Sequence, residues 1–184
     1  MQTPTDRNKN NQEILVDSQW LKVIRENLLL PSGVTIENFY TVERPAYSAI
    51  VPIFSNEDVL LVRQYRHGPK KDILNIPMGV LSNDEKPIAA AQRELQEEVG
   101  YVSESVTFIS TFDNAPSFLR LECHLFLAQD LRERQSATYD QNEQVTVVRL
   151  PLMKAIEMVL LGEIRDMTTV IGLFAADRLL RVTS

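Results

Sequence analysis

The spacing of apolar and polar positions changes along this 184-residue chain. Residues 1–12 are polar and aperiodic, which predicts a disordered tail. From Glu13 to Glu43 short apolar runs alternate with turn residues, and ENLLL and VTIENFYTV flank Pro31-Ser32-Gly33, the pattern of an N-terminal β-hairpin. AYSAIVPIF and VLLVRQYR flank a second turn at Ser55-Asn56-Glu57-Asp58. HGPKKD reads as a loop and LNIPMGV as one short strand.

Beyond the polar segment SNDEKP the period lengthens to that of a helix. Asp84 is placed to cap it, Pro87 suits the first turn and Gly100 suits a left-handed C′ position, predicting a helix from Lys86 to Val99. VTFISTF, ECHLFLAQ and EQVTVVRLP follow as strands, then PLMKAIEMVLLGEI, punctuated by Gly162, and DMTTVIGLFAADRLLRV as amphipathic helices. No repeat or linker interrupts them. Residues 13–184 are therefore expected to form a single α/β domain with a mixed sheet between helix layers, an α/β/α sandwich.

Composition narrows the partners. With 44% hydrophobic and 24% charged residues the chain is ordinary globular material, and its formal net charge of −6 argues against a nucleic-acid or anionic-membrane surface. Cys123 is the only cysteine, no apolar stretch has the length of a membrane span, and MQTPTDRNKNNQ has no apolar signal core. The expectation is a cytoplasmic protein. Cys123 and His124 are adjacent on a strand and so face opposite sides, which excludes them as a nucleophile and base pair.

The chemistry concentrates in RELQEEVGY, residues 93–101. Glu94, Glu97 and Glu98 are helix-surface neighbours near a C-terminus, where like charges repel and the helix dipole disfavours anions. At about 100° per residue they span an arc of roughly 100°, beside a packing stripe of Ile88, Ala91, Leu95 and Val99. Hard oxygen donors crowded at a cost to helix stability suit Mg²⁺ or Mn²⁺, which would relieve the repulsion. The plainer alternative is a solvated Glu-rich face.

The flanking residues decide between them. Gly79, five residues, Glu85, seven residues, then Arg93-Glu94-Leu95-x-Glu97-Glu98-x-Gly100-Tyr101 resembles the Nudix box at every fixed position. The resemblance implies a hydrolase of nucleoside diphosphates linked to another moiety, with a divalent metal on the box helix. It implies Glu94 and Glu98 as principal ligands, Glu97 as a further ligand or water-positioning group, and the Met78 carbonyl as a backbone ligand. Arg93 lies about 40° from Glu97 on the wheel, consistent with an orienting ion pair. Glu85 is expected to support the loop.

LPSG, LLVRQYR, NIPMG, NAPSF, HLFLAQDL and LGEIRD extend the likeness to the ADP-ribose pyrophosphatase and ADP compounds hydrolase group. That resemblance implies Arg66 as a phosphate contact, with Arg63 expected to point the same way. It also implies Pro116 and Phe118 near the substrate, Glu143 as the general base with Glu97 as the alternative, and a homodimer in which strands of residues 13–45 are exchanged. Asn75 and Leu121 stand where many relatives carry glutamate, and Glu122 would face away from Leu121's side of a strand. ADP-ribose or a related ADP compound is the expected substrate. GDP-mannose, a dinucleoside polyphosphate, or a nucleotide-sensing role without turnover are the alternatives.

Overall fold

A computed structural model describes residues 12–134 and 145–182. In chain order the first strands are β1 (Gln12–Asp17), β2 (Lys22–Leu29) and β3 (Thr35–Glu43). Then come β4 (Tyr47–Pro52), β5 (Asp58–Arg66), β6 (Lys71–Asn75) and β7 (Met78–Val80), leading into α1 (Pro87–Val99). After it follow β8 (Tyr101–Val102), β9 (Ser105–Asp113), β10 (Leu119–Arg120), β11 (Glu122–Gln129), β12 (Arg132–Glu133) and β13 (Thr146–Pro151), then α2 (Leu152–Leu160) and α3 (Met167–Val182).

The chain divides into two compact units, one of residues up to 46 with 113–122, the other of 47–112 with 123–184. In the first, β1, β2 and β3 run antiparallel and β10 adds to β3 in parallel, Leu119 opposite Val42 and Arg120 opposite Glu43. The expected hairpin is thus two strands of a four-stranded sheet. Its turn closes as the residues demand: Gly33, at φ 84°, donates to the Leu30 carbonyl at 2.9 Å, and Leu30 donates to that of Val34 at 2.8 Å. β1 begins at Gln12, inside the stretch assigned to the tail, and residues 1–11 lie outside the described ones.

The second unit carries strand orders β7-β4-β11-β9 and β13-β5-β6 with the small pair β12-β8. β4 and β11 are parallel, whereas β7 is antiparallel to β4, so the sheet is mixed. Alternation along the strands builds two cores. Ala49, Val51, Val59, Leu61, Leu125 and Leu127 meet Leu152, Ala155 and Leu173 of α2 and α3. Ile50, Leu60, Val62, Phe126 and Ala128 meet Ala91, Leu95 and Val99 of α1. Strands buried on both faces explain their near-continuous apolar runs and give the α/β/α layering expected. Among the described residues no helix is long and apolar enough to cross a membrane.

Three local readings change. LNIPMGV is two strands, because Pro77 has no N–H to continue a ladder: β6 ends at Asn75 beside β5, and β7 starts at Met78 beside β4. α1 ends at Gly100 as expected, at φ 77°, with its N–H on the Gln96 carbonyl at 3.0 Å. Its N-cap, however, is Lys86 without a side-chain cap bond, and Asp84 instead occupies a left-handed turn at φ 61°. Ile88 is 41% exposed, so the packed stripe of α1 consists of Ala91, Leu95 and Val99.

Candidate functional site

The site is built where α1 crosses β7. Because Ala91, Leu95 and Val99 anchor α1 on the sheet, the neighbouring stripe carrying Glu94 and Glu98 is carried inward as well. These carboxylates are only 8% and 7% exposed, so they pack against the strand instead of facing open solvent. Glu98 is gripped at both oxygens: the Met78 N–H donates to Oε2 at 3.0 Å and the Gln64 amide to Oε1 at 3.4 Å. The Glu94 carboxylate occupies the space beside Gly79, where a Cβ would lie 1.8 Å from Oε1.

Arg93 ties the cluster together. Its Nε and Nη2 donate to the two oxygens of Glu85 at 3.0 and 3.1 Å, its Nη1 to Glu94 at 2.5 Å and Glu97 at 2.9 Å, and its Nη2 also to the Val80 carbonyl at 3.1 Å. Hydrogen bonding to Glu85 is the largest reason its guanidinium is held even more firmly protonated than usual. In return Arg93, helped by the Ser82 N–H, pulls the Glu85 carboxyl below its ordinary range. Arg93 supplies one positive charge among Glu85, Glu94 and Glu97, which leaves that group negative. The Glu97 side chain is 42% exposed and stands with Arg93, Gln96, Ser103 and Arg134 at a cleft of about 330 Å³.

Do these residues suit a divalent metal? The donors are hard oxygens, two of them buried carboxylates, beside Met78, whose N–H holds Glu98. Among the described residues no three His, Cys, Asp or Glu side chains form a ready cage. Two buried carboxylates fit a hard divalent cation that draws its remaining ligands from substrate phosphates and water.

The other expected residues are distributed as follows. Arg66 ends β5; Gln64, two residues earlier, reaches Glu98, so strand alternation places Arg66 on the α1 side. Arg63 is three residues from Arg66 in an uninterrupted register, hence on the opposite face, contrary to the expectation that both point the same way. Pro116 and Phe118 belong to the first unit; both are exposed, Phe118 at 50%, and the Phe118 carbonyl accepts from the Val42 N–H at 2.8 Å. Glu143 lies outside the described residues. Cys123 is 1% exposed and burial pushes its thiol up, away from the thiolate a nucleophile needs.

Sequence reasoning overlooked Gln64, although a polar residue inside the apolar run of β5 was a visible signal of a buried partner. It also treated Asn75 only as a departure from a pattern. Asn75 is 1% exposed, and its Oδ1 has no hydrogen-bond partner among the described residues, a condition that costs about 1–3 kcal/mol unless something meets it.

A helix that buries two glutamates against a strand of a mixed sheet defines the class, and the chain belongs to the NUDIX domain family, whose pattern matches residues 44–166. Members of that family are generally divalent-metal-dependent hydrolases. Over 161 residues the chain is 31% identical to the methanol dehydrogenase activator of Bacillus methanolicus, covering 87% of this chain and 86% of that one. It is 31% identical over 145 residues to the ADP-ribose pyrophosphatase of Bacillus subtilis strain 168, covering 78% of each. A crystal structure of ADP compounds hydrolase aligns with a TM-score of 0.80 at 26% identity, covering 95% of this chain and 97% of that one.

Proposed function

We propose that this Nudix enzyme hydrolyses the pyrophosphate bond of an ADP-linked compound, ADP-ribose or a close relative, to AMP and a phosphorylated product. The observation that carries the reading is the paired burial of Glu94 and Glu98 at the Met78–Gly79 strand, a negative site held rigid at both ends. Similarity to an ADP-ribose pyrophosphatase and to an ADP compounds hydrolase supports the substrate class.

Glu94, Glu98 and the Met78 carbonyl would hold Mg²⁺ or Mn²⁺, with Glu97 as a further ligand. When bound, the metal supplies positive charge to the pyrophosphate and lowers the pKa of a bound water. The chain's own residues do the rest. Met78 N–H and Gln64 keep Glu98 in one orientation, and Arg93 holds Glu97 and Glu94 in place. Arg66, on the α1 side of β5, is positioned to take a phosphate oxygen by its guanidinium fork. Proton removal from the attacking water falls to Glu143 or, in its absence, to Glu97 at the cleft. Pro116 and Phe118 are assigned to contacts with the sugar or base.

Residues 13–184 act as one functional unit, and we infer a homodimer exchanging strands within residues 13–45. Support comes from the apolar side chains that unit leaves exposed, among them Leu15, Val16, Trp20 and Ile36. A single monomeric species in sedimentation at micromolar concentration would overturn it. A buried lone thiol agrees with cytoplasmic residence.

The test is chromatographic. With Mg²⁺ present, ADP-ribose, ADP-glucose, reduced nicotinamide dinucleotide, diadenosine triphosphate and GDP-mannose are each incubated with wild type and Glu98→Gln. AMP released from an ADP compound by wild type, and lost in the variant, is expected. Preference for GDP-mannose removes the ADP assignment, and no turnover on any substrate removes the enzymatic one.

A further inference from the structure

Asn75 ends β6 with its Nδ2 donating to the Ile76 carbonyl at 3.0 Å, which fixes the amide's orientation and leaves Oδ1 as the unmet atom. Strand register says which way that atom looks. Asn75 pairs with Val62, which packs on α1, whereas Leu74 and Ile76 on either side of it enter the α2 and α3 core. Asn75 therefore lies on the face that α1 covers. Gln64, paired with Ile73, shares that face and is the diagonal neighbour of Asn75. Gln64 in turn donates to Glu98 over 3.4 Å, a long contact.

Diagonal neighbours in an antiparallel pair stand about 7–8 Å apart, farther than a direct hydrogen bond and within the reach of one bridging water. Buried acceptors are normally met by a protein donor or by ordered water, and a polar, buried position with several partners is where such water resides.

We propose that Asn75 is a positioning residue of the metal centre, its Oδ1 accepting from a buried water that donates its other proton to the Glu98 carboxylate. The inference rests on the metal-centre reading above. Two proton donations leave the water oxygen free to accept from Gln64, so one molecule links the three side chains. A neutral amide performs this role without adding charge to a cluster that is already negative; a glutamate at position 75 would add one.

The test needs no substrate. Thermal stability of wild type, Asn75→Leu and Asn75→Thr is followed during titration with Mg²⁺ and, separately, Mn²⁺. Leucine removes the acceptor and with it the bridge, and the melt of the metal-free variant reports whether it still folds. Its metal-titration midpoint should weaken about 10-fold or more, as supporting residues of metal ligands do when removed. Threonine restores a neutral acceptor, and its hydroxyl can donate to the Ile76 carbonyl, so it should recover most of that loss. Equal midpoints in wild type and Asn75→Leu overturn the proposal while leaving the metal centre intact. If wild type itself shows no metal-dependent shift, the metal centre and this inference both fall. Should the leucine variant fail to fold, Asn75→Ala gives the same comparison, with the same overturning result.

Discussion

The carboxylate of Glu94 fills the volume that a side chain on Gly79 would need: a Cβ there would lie 1.8 Å from Oε1, 2.2 Å from the carboxyl carbon and 2.7 Å from Oε2. Gly79 is not among the glycines at positive φ, so it is required by the approach of Glu94 and not by the backbone. Gly79→Ala should therefore leave folding nearly intact, because the group displaced is the end of a flexible side chain. Moving that carboxylate by about an ångström should lower kcat on the order of 100-fold. Melting curves and steady-state kinetics on one preparation separate the two effects.

Removing Arg93 takes away every contact it makes with Glu85, Glu94, Glu97 and the Val80 carbonyl. Arg93→Ala should destabilise by about 1–3 kcal/mol, below the range for fully buried pairs since the side chain remains 31% exposed, and should reduce activity more than it reduces stability. Arg93→Lys should rescue little, because an ammonium cannot replace a fork that grips both Glu85 oxygens. Urea denaturation alongside kcat measurements checks both statements.

The Glu85 carboxyl is held below its ordinary value of 4.5, chiefly by Arg93. A lowered folded-state pKa means that the unfolded chain binds the proton first as pH falls. The stability Glu85 contributes is thus complete above about 4.5 and disappears as pH drops through its lower folded-state value. Melting temperatures of wild type and Glu85→Gln should differ at neutral pH and converge in acid. A constant difference down to that acid range would contradict the assignment.

Arg66 and Arg63 offer a paired control on opposite faces of β5. Arg66→Ala should raise KM for the ADP compound about 10-fold, the value of a charge-assisted phosphate contact. Arg63→Ala should leave kinetics close to wild type. Equal effects would place the phosphate elsewhere.

Gly172 of α3 faces the core so closely that a Cβ would meet Val51 Cγ2 at 2.9 Å and Ile76 Cδ1 at 3.1 Å. Alanine raises helix propensity by up to about 1 kcal/mol, yet forcing packed strands apart costs about 1–3 kcal/mol. Gly172→Ala should be net destabilising, as thermal denaturation will show, with kcat unchanged.

Much of this was legible because local chemistry specified it. The box helix reads correctly from its period and Gly100, and the two-sided burial of β4, β5 and β11 follows from their apolar runs. What was missed depends on partners remote in sequence. Asp84 looked like a cap until Glu85 turned toward Ser82 and Arg93 and left Lys86 at the boundary. Pro77 looked compatible with one strand because nothing nearby says that the chain changes sheets there. The pairing of β10 with β3 spans two residues and has no pattern to announce it. Gln64 and Asn75 acquire meaning only once register sets them on the α1 side.

The parallel pairing of β4 with β11, Tyr47 opposite Cys123, also sets conditions on how the chain is made. β7 covers one edge of β4, while the other edge must wait for β11. At the usual 5–20 residues per second of synthesis, that interval is on the order of 4–15 s. During it Ile50 and Val51 belong to an incomplete sheet beside the emerging ribosomal tunnel. That edge of β4 stays unpaired and apolar until β11 emerges, so slowing translation between the two strands should lower the yield of folded chain.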